Sequence, residues 1–181
     1  MMVGDNPFSL KQYVVKYVAW CHGVRMSKPH RSPQTEQLAE LIFEVFRLHG
    51  ELIAMGERMV GPCGLTSARW QVVGSIDESG QPLTVPMIAR NLGISRQAVQ
   101  RVVNDLEHQG LVCLSENPHH KTARLVELTE DGQSAVAEAN RVFTRWANAT
   151  TADLDADRLA ETWRLLAELR GHCRDYGMEE V

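Results

Sequence analysis

The chain of 181 residues is the size of one or two ordinary domains, and 44% hydrophobic with 23% charged residues is the composition of a folded, water-soluble protein. No apolar run approaches the roughly 18 residues of a membrane span. Lys11 and Lys16 break the most apolar N-terminal stretch, and the first residues lack a signal-peptide core and cleavage site, so a cytoplasmic location is expected. The net charge of −4 does not by itself suggest a nucleic-acid partner, and the four widely spaced cysteines fit reduced thiols rather than a disulfide scaffold.

Residues 1–33 form a basic N-terminal extension, with Lys11, Lys16, Arg25, Lys28 and Arg31 against Asp5. Phe8 to Trp20 has the spacing of a short amphipathic helix, and MSKPHRSPQ after it is a proline-containing linker. Such an arm suits contact with DNA phosphates, packing on a partner subunit or partial disorder. Gln34 to Val60 reads as one long helix: Leu38, Leu41, Ile42, Val45, Leu48, Leu52, Ile53 and Met59 keep helical spacing, and Gly61-Pro62 ends it. Leu65 to Ile76 is a second helix capped by Thr66, Asp77 to Pro82 a turn, and Leu83 adds one short strand before the next helices.

Thr84 to Gly110 reads as two short helices joined by a tight turn, a helix-turn-helix. Ile88, Ala89 and Leu92 give the first helix its apolar face, and Gly93 ends it in the left-handed region. Ile94 is expected to plug the angle between the helices, and Ser95 to cap the second. Val99, Val102, Val103 and Leu106 make the buried stripe of that second helix. At 100° per residue this leaves Gln97, Gln100, Arg101, Asn104 and His108 on the opposite face, with Arg96 at its flank. Gln and Asn pair two-pronged with adenine, and Arg with guanine, in the major groove. A merely solvated helix would favour Glu and Lys. From Arg90 to Arg124 five cations (Arg90, Arg96, Arg101, Lys121 and Arg124) face three acids (Asp105, Glu107 and Glu116), a mildly basic head on an acidic body.

After Gly110 the period changes to two. Leu111 to Ser115 and Ala123 to Leu128 are strand-like around the polar loop ENPHHKT, which makes a β-wing directly after the recognition helix. Thr129-Glu130-Asp131 caps a long helix to about Ala149, and a final helix runs from about Asp155 to Cys173. The expected fold is mainly α with a small β-wing: a winged helix-turn-helix over residues 63–129, flanked by dimerisation helices at 34–62 and 130–173, with a tail at 174–181. The long apolar flanking helices are expected to bury their surplus surface against a second copy, which would set two recognition helices on half-sites about one DNA turn apart.

With these pieces in place the chain resembles the multiple-antibiotic-resistance regulator (MarR) family of bacterial winged-helix repressors. The residues that carry the resemblance are LTSARWQVVGSI before the turn, LTVPMIARNLGISRQAVQRVVNDLEHQGLV through it and ARLVELTEDG closing the wing. The resemblance implies a homodimeric transcription factor on a pseudo-palindromic operator, released in many members by a small aromatic or phenolic ligand bound between the dimerisation helices and the winged domain. On this reading Gln97, Gln100, Arg101 and Asn104 read bases, and Ser95, Arg96, Lys121 and Arg124 serve phosphates and the wing. Met55, Met59 and Trp70 lie on helices beside the implied ligand crevice. Family members usually carry an acidic residue and then arginine at the wing tip. Here His119 to Thr122 reads His-His-Lys-Thr, so phosphate contact by Lys121 replaces minor-groove readout as the expectation.

No phosphate loop, G-x-S-x-G elbow or dinucleotide fingerprint occurs, and no enzyme or cofactor is expected. The histidines show no i, i+4 pair and no zinc-finger spacing, so no metal site is expected either. Hydroperoxide-sensing relatives carry a reactive cysteine near the start of the first long helix, whereas Cys21 precedes that helix and Cys63 follows it. A metal- or redox-responsive regulator is the minor alternative, after a dimer of the same fold that binds a ligand or partner with lost or altered DNA recognition.

Overall fold

The computed structural model describes residues 32–118 and 123–176. The chain divides into two compact units, Met1–His49 and Gly50–Val181. The described part of the first is the leading portion of helix α1 (Pro33–Val60). Ser32 starts it: its Oγ accepts from the Thr35 amide at 3.2 Å, and Pro33 follows with its φ already set for a helix. Leu38, Ile42 and Val45 recur at steps of four and three on this portion, all exposed.

The second unit begins with the end of α1, where Val60 is fully buried. A 3-10 turn (Gly61–Cys63) containing Pro62 stops the helix. Helix α2 (Ser67–Ser79) follows, with Thr66 as the predicted N-cap, accepting from the Arg69 amide at 3.2 Å. It runs three residues beyond Ile76, because Asp77, Glu78 and Ser79 all keep helical geometry before Gly80 turns left-handed. The predicted turn therefore shrinks to Gly80–Pro82. Strand β1 (Leu83–Thr84) leads into helix α3 (Val85–Leu92), and helix α4 (Arg96–His108) completes the pair. Gly93 adopts φ 68° between them, and Ser95 caps α4 through the Ala98 amide at 3.2 Å.

One expectation fails here. Ile94 does not plug the angle between the helices: it is 43% exposed, whereas Ile88 on α3 and Val99 on α4 have no exposed surface and belong to the common core. Strands β2 (Val112–Ser115) and β3 (Leu125–Leu128) form the wing hairpin, and β1 joins its other edge, giving an antiparallel sheet of order β1-β3-β2. The register pairs Val112 with Leu128 and Leu83 with Val126. Val112, Val126 and Leu83 thereby enter one core with Val72, Val73 and Ile76 of α2 and Val99, Val103 and Leu106 of α4. Helix α5 (Glu130–Thr151) adds Val136 and Ala139 to it. Helix α6 (Ala156–Tyr176), which continues past Cys173, buries none of its residues.

The junction of wing and α5 turns on Thr129 and Gly132. Thr129 accepts from the Gly132 amide at 3.0 Å and donates through Oγ1 to the Gly110 carbonyl at 2.7 Å, while its own amide donates to the Leu111 carbonyl at 3.2 Å. A Cβ at Gly132 would overlap that same Leu111 carbonyl oxygen, a backbone atom that cannot step aside. Gly132→Ala is therefore expected to destabilise the protein by about 3 kcal/mol or more. Urea unfolding checks this, and a change under about 1 kcal/mol would show that the junction relaxes freely.

Candidate nucleic-acid interface

Helix α4 is two-sided because its apolar residues recur every three or four positions. Val99, Val103 and Leu106 have no exposed surface, and Val102 packs partly against the same core. The other side carries Gln97, Gln100, Arg101, Asn104 and His108, all exposed, with Ser95 and Arg96 exposed at the N-terminal end. The structure therefore brings all four predicted base-reading residues onto one outward face. Within it Gln100 Nε2 donates to Asn104 Oδ1 at 2.8 Å, one helical turn along. Arg101, Asn104, Asp105 and His108 line one shallow concavity along the helix. The hydroxyl of Ser95, occupied as an acceptor by the Ala98 amide, keeps its own proton available to a phosphate.

On the wing, Arg124 is exposed and folds back so that Nη2 donates to the Leu114 carbonyl at 2.6 Å. That fixes its stem on the hairpin and leaves further guanidinium N–H groups for a partner. A hydrogen bond between Ser115 and Glu127 crosses the two strands nearby. Lys121, with His119 and His120, lies outside the described residues.

Two further features involve α2. The guanidinium of Arg69 on α2 reaches α4, donating to Asp105 Oδ2 from Nε at 2.9 Å and from Nη2 at 2.6 Å. These residues are 36 positions apart, and no periodicity links them. The second feature is an open groove of about 980 Å³ among α2, α3, α5 and α6. Trp70 and Phe143 supply aromatic walls, with ring centroids 5.5 Å apart, and Arg90, Arg170 and Arg174 supply cations. Asn140 Nδ2 donates to Asp77 Oδ2 at 3.2 Å on its lining. Of the three predicted pocket residues, Trp70 lines this groove; half-buried Met55 and Met59 do not, and Met59 packs on the core instead.

Among the described residues no three His, Cys, Asp or Glu side chains come together as a metal would require. Cys63 is half-buried, Cys113 and Cys173 are exposed, and all three are free thiols; Cys21 lies outside the described residues. No described helix is long and apolar enough to cross a membrane.

Comparison with known proteins agrees with this geometry. A MarR family model matches residues 64–121. An uncharacterized protein of Mycobacterium tuberculosis is 46% identical over 129 residues, spanning 68% of this chain and 89% of that protein. Mutant MarR from E. coli, complexed with operator DNA, has the same fold with a TM-score of 0.65 at 22% identity, covering 76% of this chain and 99% of that one. CouR from Rhodococcus jostii, bound to p-coumaroyl-CoA, is similar at a TM-score of 0.65 and 18% identity, covering 71% of this chain and 90% of that one. Both family and fold are those of transcription regulators rather than of enzymes. The helix-turn-helix with its wing, the motifs that run through it and the extent of these matches place the chain in the MarR family of winged-helix transcription regulators.

Proposed function

We propose that the protein is a homodimeric, sequence-specific DNA-binding repressor that a small aromatic or phenolic ligand releases. The observation that carries the DNA-binding part is the outward polar face of α4. Gln97, Gln100, Arg101 and Asn104 offer paired donors and acceptors to base edges, while Ser95, Arg96, Lys121 and Arg124 hold the phosphate backbone. In this reading residues 63–129 form the DNA-binding domain, 34–62 and 130–173 the dimerisation helices, 1–33 a basic extension and 174–181 a tail. Selection of bound fragments from the source genome supplies the operator. Arg101→Ala should then cost about 1–3 kcal/mol on that operator and relax preference at one base pair. Uniform weakening on all duplexes would assign Arg101 to a phosphate, and no duplex binding at low salt would leave a ligand- or partner-binding dimer of the same fold.

Dimerisation is supported by apolar surface that the described chain leaves bare. Leu159, Trp163 and Leu165 on α6 are exposed, Trp163 by 69%, on a helix that contributes nothing to the core. Leu159 and Trp163 stand one turn apart on the same side of α6, and exposed apolar side chains placed in this way suit an interface between copies. Trp163→Glu should therefore convert dimers to monomers in sedimentation and weaken operator binding, without lowering the melting temperature of the winged domain. A wild-type protein that sediments as a monomer at micromolar concentration would overturn the homodimer.

The groove beside Trp70 fits a flat ligand with an acidic group, because aromatic walls and the cations of Arg90, Arg170 and Arg174 stand together there. Titration with a panel of phenolic and benzoic acids should change tryptophan emission and release operator DNA, and Trp70→Phe should remove most of the optical response. No response across the panel rejects the ligand half of the proposal.

A further inference from the structure

The clamp between α2 and α4 bears on Arg101. Arg69 Nε and Nη2 both rest on Asp105 Oδ2, and with its amide oxygen turned toward the guanidinium Gln109 accepts from Nη2 at 2.7 Å and Nη1 at 3.0 Å. The Arg69 side chain is 21% exposed and that of Asp105 51%, so the pair sits at the edge of the reading face. Asp105 stands four residues after Arg101, the spacing that sets two side chains next to each other on a helix. Both line the same concavity with Asn104 and His108. A free carboxylate at that place is the nearest competitor for the Arg101 guanidinium, yet the only ion pair Asp105 makes among the described residues is with Arg69.

We infer that Arg69 is a positioning residue for DNA recognition, holding the Asp105 carboxylate against α2 so that Arg101 stays unpaired for the major groove. The inference rests on Arg101 reading a base, as proposed above. Two consequences of losing the clamp act together. The freed carboxylate captures Arg101 on the neighbouring turn, and it adds an unpaired negative charge where phosphates approach. A clamp that only braces α4 against α2 predicts something different, since removing either partner would then do the same harm.

The probe is the duplex that wild-type protein selects from a random library, with a scrambled duplex as the reference, both at one salt concentration. Arg69→Ala should lower discrimination between the two by roughly three- to ten-fold. Asp105→Asn, which removes the competitor, should bind the selected duplex more tightly than wild type. The double variant should recover discrimination to within about two-fold of wild type, and Arg69→Ala should have no further effect on discrimination in an Arg101→Ala background. A general loss of positive charge would instead weaken both duplexes alike. The inference is overturned if Asp105→Asn loses discrimination as Arg69→Ala does, or if the double variant stays low. Should Arg69→Ala unfold, Asp105→Asn alone decides between the two outcomes. A wild-type protein that selects no duplex defeats the DNA-binding reading itself and this inference with it, whereas undiminished discrimination by a folded Arg69→Ala defeats the inference alone.

Discussion

Three side chains on one side of α4 fix how the helix is turned. Val99, Val103 and Leu106 are fully buried against α2, α3 and the sheet. A rotation of 100°, one residue, would bring them toward water. Each is worth about 1.5–3 kcal/mol when buried, so the rotation would cost an amount comparable with the whole stability of a small domain. An exposed hydrogen bond such as Gln100 to Asn104, or an exposed ion pair, contributes about 1 kcal/mol at most. The polar residues therefore have no means of setting the azimuth themselves. The valines and leucine set it, and Gln97, Arg101 and Asn104 face outward as a result.

The wing is held to α4 by backbone geometry rather than by side-chain bulk. Gly110 turns with φ 74°, and the chain passes at once into β2. It returns along β3 to Thr129, whose amide and hydroxyl bond to the carbonyls of Leu111 and Gly110. The start of β2, the end of β3 and the first turn of α5 thus meet within a few residues, and Gly132 leaves the room for it. The two-residue strand β1 adds a third tie by pairing Leu83 and Thr84 with β3. A hairpin alone is marginal in water, and the third strand together with the packing beneath it makes this one part of a rigid unit.

The helices, their caps and the wing were legible because each rests on local signals. Thr66, Ser95 and Thr129 cap α2, α4 and α5 through amides three residues on, and the spacing of apolar residues names the buried faces. Helix ends were less legible: Asp77, Glu78 and Ser79 look like turn residues, and nothing local says that the helix persists until Gly80. Ile94 shows a different limit. Its apolar character suggested burial, but it stays 43% exposed while Ile88 and Val99 are buried in the core, because burial depends on the tertiary packing and not on apolar character alone. The Arg69 clamp was not legible at all, and of the groove only Trp70 was. Both join segments remote in sequence, and a charged residue on a helix reads the same whether it is solvated or paired.

The hydrogen bond between Gln100 and Asn104 has a consequence for the proposed readout. To pair two-pronged with adenine, Asn104 must accept through Oδ1 and donate through Nδ2. Its Oδ1 already accepts from Gln100, but a carbonyl oxygen has two lone pairs and can take a second donor. Gln100 in turn keeps one N–H and its own Oε1 free. The pair can therefore meet bases as a linked unit with Asn104 held in place before DNA arrives, and less side-chain entropy is lost on binding than for two independent amides. Arg101 differs, since no partner on α4 orders it. Its readiness depends on what the neighbouring carboxylate of Asp105 is doing, and that is settled from α2.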